Sequence, residues 1–318
     1  MSTIESEPES FDKTLALFTE QLGYRLEMIS PADDPAMAIV ERDGHRLEIR
    51  REEPTASPAD GLVIPELKPA RHIATMATAA WNSGRAGMRY RDLIPDRLGG
   101  RFIASHIEVC DGGPVPDMVH HHAIRFQLIV CQRGWVDVVY EDQGPPFRLE
   151  AGDAVLQPPH IRHRVLASSA GARVVEIGCP AEHDTLFDHE LELPTTTVDP
   201  DRNFGGQKFV WHRNDQTAWE PARFDGFEVQ VSNIAAATDG LADMRILRPG
   251  TSDRLAADAD NAEFHFLFVL NGTAQVSIGP DEAFEAVEGD AVTLAPSDAW
   301  SLSEASEDLR ILEIRLPG

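Results

Sequence analysis

Two stretches decide the fold. The first reads His120-His121-His122-Ala-Ile-Arg125-Phe-Gln127-Leu-Ile-Val-Cys-Gln-Arg-Gly134, and the second Gly152-Asp-Ala-Val-Leu-Gln-Pro158-Pro159-His160-Ile-Arg162-His163. Alternate residues of a strand share a face. His120 and His122 can therefore aim two imidazoles to one side while His121 turns to the other. Gln127 is a further polar residue five positions on, and His163 arrives from a separate strand. Imidazoles converging from different strands are what a divalent transition metal needs, and iron, copper, nickel, manganese and zinc all accept them. Six of the 12 histidines (His106, His120, His121, His122, His160, His163) fall in this one region.

Outward from these stretches the texture is that of strands. Short β-branched runs at Phe102–Val109, Phe126–Cys131, Trp135–Tyr140, Ala154–Gln157 and Arg173–Ile177 are bounded by Gly, Pro and Asp. Such even spacing predicts a β-barrel or sandwich. The pattern returns after residue 225. Val174-Val-Glu-Ile-Gly-Cys-Pro180 matches Ile311-Leu-Glu-Ile-Arg-Leu-Pro317, and Glu150-Ala-Gly-Asp-Ala-Val155 matches Val287-Glu-Gly-Asp-Ala-Val292, both 137 residues apart; Gly134 and Gly272 are 138 apart. A shared offset at three landmarks predicts an internal duplication.

The two stretches resemble the two motifs of the cupin superfamily. The first fits as His120, His122, Gln127 in place of the usual Glu, and Gly134; the second fits as Gly152, Pro158, His160 in place of the usual Gly, and His163. The resemblance implies a mostly β bicupin, two tandem jelly-roll barrels. It carries the family's metal ligands onto His120, His122 and His163, with Gln127 as the fourth. Arg125, His160 and Arg162 are candidates for orienting ligands or touching substrate. In the second copy the glycine alignment puts Asp258 and Asp260 at the first two histidines, His265 at Gln127 and Trp300 at His163, which predicts a degenerate site.

Three neutral imidazoles and a neutral amide leave the +2 charge of a divalent ion uncompensated. That favours a small anionic chelating substrate such as an enol, catechol, or keto or hydroxy acid. By resemblance to cupin dioxygenases the expected activity is that of a non-haem iron(II) dioxygenase, with nickel, manganese, copper or zinc as other metals. The alternatives are a non-oxidative metal-dependent isomerase or lyase, and a non-enzymatic small-ligand sensor.

The expected organisation is an N-terminal α+β region over 1–55, an irregular linker over 56–98, a metal-bearing cupin over 99–192, a connection over 193–223 and a second cupin over 224–318. Phe11, Leu15, Phe18 and Leu22 recur at helical spacing, and Asp43-Gly44 is a hairpin turn between Ala36–Glu41 and Arg46–Arg50. This region resembles part of a glyoxalase-type vicinal-oxygen-chelate half, without an evident first strand. Otherwise it is a helix and hairpin covering an open sheet edge. A net charge of −25 argues against nucleic acid and anionic membrane surfaces as partners. No apolar run reaches the ~20 residues of a membrane span, and an acidic start predicts a cytoplasmic chain, with a homodimer as an expected assembly. The three widely spaced cysteines predict free thiols.

Overall fold

The computed structural model describes residues 2–7, 10–32, 34–51, 62–83, 88–280 and 282–317. The first barrel closes from two sheets. In one, Phe126–Arg133 lies between Ala154–Leu156 and Ala172–Cys179, and Ile103–Val109 pairs with the far side of the latter. The other runs Thr185–Phe187, His120–His122, His163–Ser168, Trp135–Tyr140, Phe147–Glu150. Alternation sorts each strand between two environments. Gln127 and Ile129 face the barrel interior, while Phe126, Leu128 and Val130 face away and are fully buried.

The second barrel repeats the first in register. Ile129 pairs with Glu176 across the first sheet, and Leu267 with Glu313 across the second. Gly134 and Gly272 both turn at positive φ (72° and 81°), and a Cβ there would lie 2.3 Å from Ser169 Oγ or 2.6 Å from Leu309 Cα. Only glycine meets both demands.

The barrels sit back to back, with Phe126, Leu128 and Val130 in one buried cluster with Phe264, Phe266 and Phe268. Phe102 stacks on Phe264 with ring centroids 4.4 Å apart. Charges close the seam: Glu263 of the second half accepts from Arg101 at 2.6 Å and from Arg125 at 2.8 Å, both of the first half. Burial pushes the Glu263 carboxyl up, but the two guanidinium groups outweigh it and hold it below the ordinary value of 4.5. A lowered folded-state pKa gives stability that is present above the unfolded value and lost as pH falls through the folded one. The seam should therefore weaken as pH falls below about 4.5. Glu263→Ala should cost about 2 kcal/mol in urea unfolding at pH 7, less than the ~3–5 of a fully buried pair because the arginines keep some solvent. In the variant the loss of stability on acidification below pH 4.5 should flatten.

The segments expected as linkers differ from expectation. Residues 52–61 and 84–87 lie outside the described residues, but the rest of 62–98 is not simply irregular. His72–Ala74 precedes the first barrel yet pairs with Ala291–Thr293 of the second; Val210–His212 precedes the second yet pairs with Ala154–Leu156 of the first. The two arms are again 138 residues apart, and each is pinned alike: Met76 N donates to Asp290 and Asn214 N to Asp153. Met88–Asp92 pairs with Ile103–Val109 of the first barrel. The duplicated unit thus includes an exchanged arm. Strands of two or three residues carry no readable periodicity, and their partners belong to the other half of the chain.

The hairpin expected at Asp43-Gly44 joins Met37–Arg42 and His45–Arg51, within a residue of the expected bounds, with Asp43 and Gly44 both at positive φ; Arg25–Ser30 is a third strand of this sheet. A further strand, Ser2–Ser6, lies parallel to His45–Arg51. Helix Phe11–Ala16 buries Phe11 on this sheet. Ser10 precedes it without capping; its hydroxyl donates back to Glu7 O. Arg25–Ser30 pairs with Thr185–Phe187, so this unit extends the sheet that carries the histidines. Cys131 and Cys179 are buried free thiols and Cys110 a half-buried one. Among the described residues no helix is long and apolar enough to cross a membrane.

Candidate metal centre

His120 and His122 point inward from one short strand. His163 opens the neighbouring strand, where it pairs directly with His120. All three are buried, and one ring nitrogen from each lies within 4.8 Å of the others. His120 Nδ1 donates to Met118 O at 2.8 Å and His163 Nδ1 to Ile161 O at 3.0 Å. A carbonyl only accepts, so both rings keep their proton on Nδ1 and carry the lone pair on Nε2. His122 Nδ1 meets the hydroxyl of buried Thr185 at 3.0 Å, which lets it do the same. Asp117 adds a carboxylate 3.5 Å from His120 Nδ1. Nδ1 anchors of this kind orient imidazoles for a metal. This donor set fits a divalent ion with nitrogen ligands.

The anchors are testable. Thr185→Val keeps the side-chain shape and removes the oxygen, and should weaken metal affinity about 10- to 100-fold, read by competition with a chromophoric chelator. Unchanged affinity would show that the hydroxyl does not set the His122 ring.

Gln127 shares the chamber with the three histidines. Its Nε2 donates to Glu176 at 2.7 Å, and its Oε1 accepts from Gln157 at 2.9 Å. Gln157 accepts from the Tyr140 hydroxyl at 2.6 Å and reaches His163 Nε2 at 3.4 Å. Tyr140, whose phenol burial raises above its ordinary range, stacks on His163 at 5.4 Å between ring centroids. A hydrogen-bonded band therefore runs from His163 to Glu176. In the sequence Glu176 stands only as a landmark of the repeat, matched with Glu313. Its signal was a charged residue at an inward position of an apolar strand. His183, 5.3 Å from His122 between ring centroids, also lines the chamber and had not been singled out. Glu176 changes the electrostatics expected above, since it places a carboxylate where the sequence suggested only neutral groups.

Neither expected arginine reaches the chamber. Arg125 is turned to Glu263, and Arg162 donates to Asp188 at 3.2 Å. His160 stands at φ 62°, the position where the motif usually has glycine, and its ring meets His121 outside the barrel at 3.2 Å. Burial, with Arg162 adding to it, lowers His121 to about 4. His106 faces the seam between barrels and bonds Gln132 at 2.8 Å; burial takes it to about 4 as well.

The second barrel corrects the register of the degenerate site. Ala257 lies opposite Trp300 as His120 lies opposite His163, so the counterparts of His120 and His122 are Ala257 and Ala259. Asp258 is exposed, and Asp260 is bound to Arg315 at 2.6 Å. His265 is bound to Glu313 at 3.0 Å, the counterpart of the Gln127–Glu176 pair. Burial pushes the Glu313 carboxyl up, but His265 and Arg223 outweigh it and hold it low. Trp300 pairs with Ile278 as His163 pairs with Tyr140, and is 2% exposed within a buried apolar cluster. The glycine alignment slipped because the connection before Phe264 differs in length from its counterpart, and only strand pairing counts it.

No protein-family model and no curated protein matches the chain. Solved structures do. An oxalate decarboxylase of Bacillus subtilis studied for its Mn(II) centres is 13% identical, with a TM-score of 0.55 over 81% of this chain and 79% of that one. A second oxalate decarboxylase structure is 11% identical, with a TM-score of 0.56 over the same shares. The Bacillus subtilis enzyme at pH 4.6 is 12% identical, with a TM-score of 0.54 over 81% and 78%. Paired barrels, repeated registers and this likeness agree: the chain has the bicupin fold, with a three-histidine cluster in its first barrel.

Proposed function

We propose that the first barrel is a metal-dependent lyase that cleaves a carbon–carbon bond beside a chelating carboxylate, without net oxidation. The observation that carries this reading is the placement of Glu176 in the same chamber as the three histidines, held there by Gln127. A divalent ion on His120, His122 and His163 would supply Lewis acidity to a bound oxyanion. Mn(II) is favoured by the neighbours of like fold, and iron(II), nickel, copper and zinc also suit imidazole donors.

The chain's own residues account for the rest. Loss of CO2 from a 3-oxo acid leaves the electron pair of the broken bond in an enolate, which needs one proton to become the ketone. Glu176 carries that proton, taken up from solvent, and the Gln127–Gln157–Tyr140 band fixes its carboxyl in place. Apolar walls exclude water and strengthen every charge interaction inside. The substrate on this reading is a small chelating anion.

The test is CO2 release from 3-oxo acids and oxalate by metal-loaded protein under anoxia. Release without dioxygen is expected. Dioxygen uptake in step with product would overturn the lyase and favour the dioxygenase. One observation supports that second reading: both ends of the Gln127 amide are engaged by Gln157 and Glu176, which leaves a face of three nitrogen donors.

A further inference from the structure

The chain builds one barrel twice and treats the two interiors differently. In the second, Trp300, Phe227, Leu267, Val276 and Ile278 belong to one buried apolar cluster. In the first, the equivalents of Trp300, Leu267, Val276 and Ile278 are His163, Ile129, Val138 and Tyr140, and they line a chamber of about 420 Å³. The same strands, in the same register, carry His163 in one barrel and Trp300 in the other. The chamber's lining joins a polar band to apolar walls, which suits an occupant with both characters.

Polar and apolar groups are segregated within it. The three histidines, Gln127, Gln157 and Glu176 form the polar band described above. Inward positions on the strands Ile103–Val109, Trp135–Tyr140 and Ala172–Cys179 supply Ile107, Val109, Val136, Val138 and Val174. Among the described residues lining the chamber there is no lysine or arginine, and the carboxylates are Asp117 and Glu176. A second anionic group on the substrate would meet no cation there. Chambers of ~300–1,000 Å³ with mostly apolar walls enclose ligands far larger than a two-carbon acid.

We infer that the substrate is a monoanionic chelating acid with an apolar body, an alkyl chain or ring, which lies against the valine and isoleucine walls while its oxyanion head meets the histidines. This inference rests on the lyase reading only for the position of the head. The test is calorimetric binding of pyruvate, 2-oxobutanoate, 2-oxohexanoate, 2-oxooctanoate and oxalate to Mn(II)-loaded protein under anoxia, with metal content measured for each sample. Affinity should rise about fourfold per added methylene until the chamber fills, and oxalate should bind more weakly than 2-oxohexanoate. In Val138→Phe, and independently in Ile107→Phe, the ratio of affinities for 2-oxooctanoate and pyruvate should collapse towards one. A flat dependence on chain length in the unaltered protein, or oxalate as the tightest ligand, would overturn the inference. Binding is read here without turnover. Long 2-oxo acids that bind as expected, while 3-oxo acids of the same length release no CO2, uphold the apolar body and overturn the lyase; turnover of 3-oxo acids or oxalate with no gain in affinity from chain length does the reverse.

Discussion

His122→Ala should leave the protein folded and essentially without metal. Three donors gathered from two neighbouring strands would hold the ion, and removing one leaves two imidazoles and the space the third had filled. The ring also bonds Thr185 and sits 5.3 Å from His163 between centroids, so its loss releases one anchor and one neighbour without touching the shared core behind. Metal per chain after loading and desalting, measured by mass spectrometry, should fall from near one to below about a tenth, since a lost ligand costs at least as much as the ~10–100-fold of a lost outer partner. Circular dichroism should be unchanged. Full occupancy in the variant would remove His122 from the ligand set, and the lyase and dioxygenase readings would both lose their centre.

Glu176→Gln should separate binding from chemistry. The substitution keeps size and hydrogen bonding beside Gln127 but cannot carry the transferable proton. Turnover should drop about 10²- to 10⁴-fold, the usual contribution of a positioned acid or base. Metal content and affinity for a chelating acid should stay within a few-fold of the unaltered protein. If metal is lost instead, Glu176 serves the centre itself and not the proton. If turnover is unchanged, the proton comes from elsewhere and Glu176 is only a wall residue.

Much of this architecture was legible in the residues because it is periodic or repeated. Two-residue alternation exposes strands, so Trp135–Tyr140 was read to the residue and the others nearly so. The 137–138 offset exposed the duplication because glycines at positive φ and inward glutamates have few substitutes. The spacing of His120, His122 and His163 exposed the candidate cluster, since a period of two puts the first pair on one face. Features without a period stayed hidden. The exchanged arms are three residues each, and Asp258 and Asp260 were placed one residue out because loop length cannot be counted from landmarks beyond it.

What the sequence determined by itself is therefore the fold, the repeat and the histidine cluster, all consequences of local pattern. Tertiary structure alone decided what surrounds that cluster. It turned Arg125 and Arg162 to Glu263 and Asp188, away from the chamber, and brought Glu176 within 2.7 Å of Gln127 from 49 positions away. It also opened a chamber of about 420 Å³ inside the first barrel. The physical reason is that side-chain pairing and cavity volume depend on which strands meet and in what register. Those are sums over distant parts of the chain, which no window along it contains.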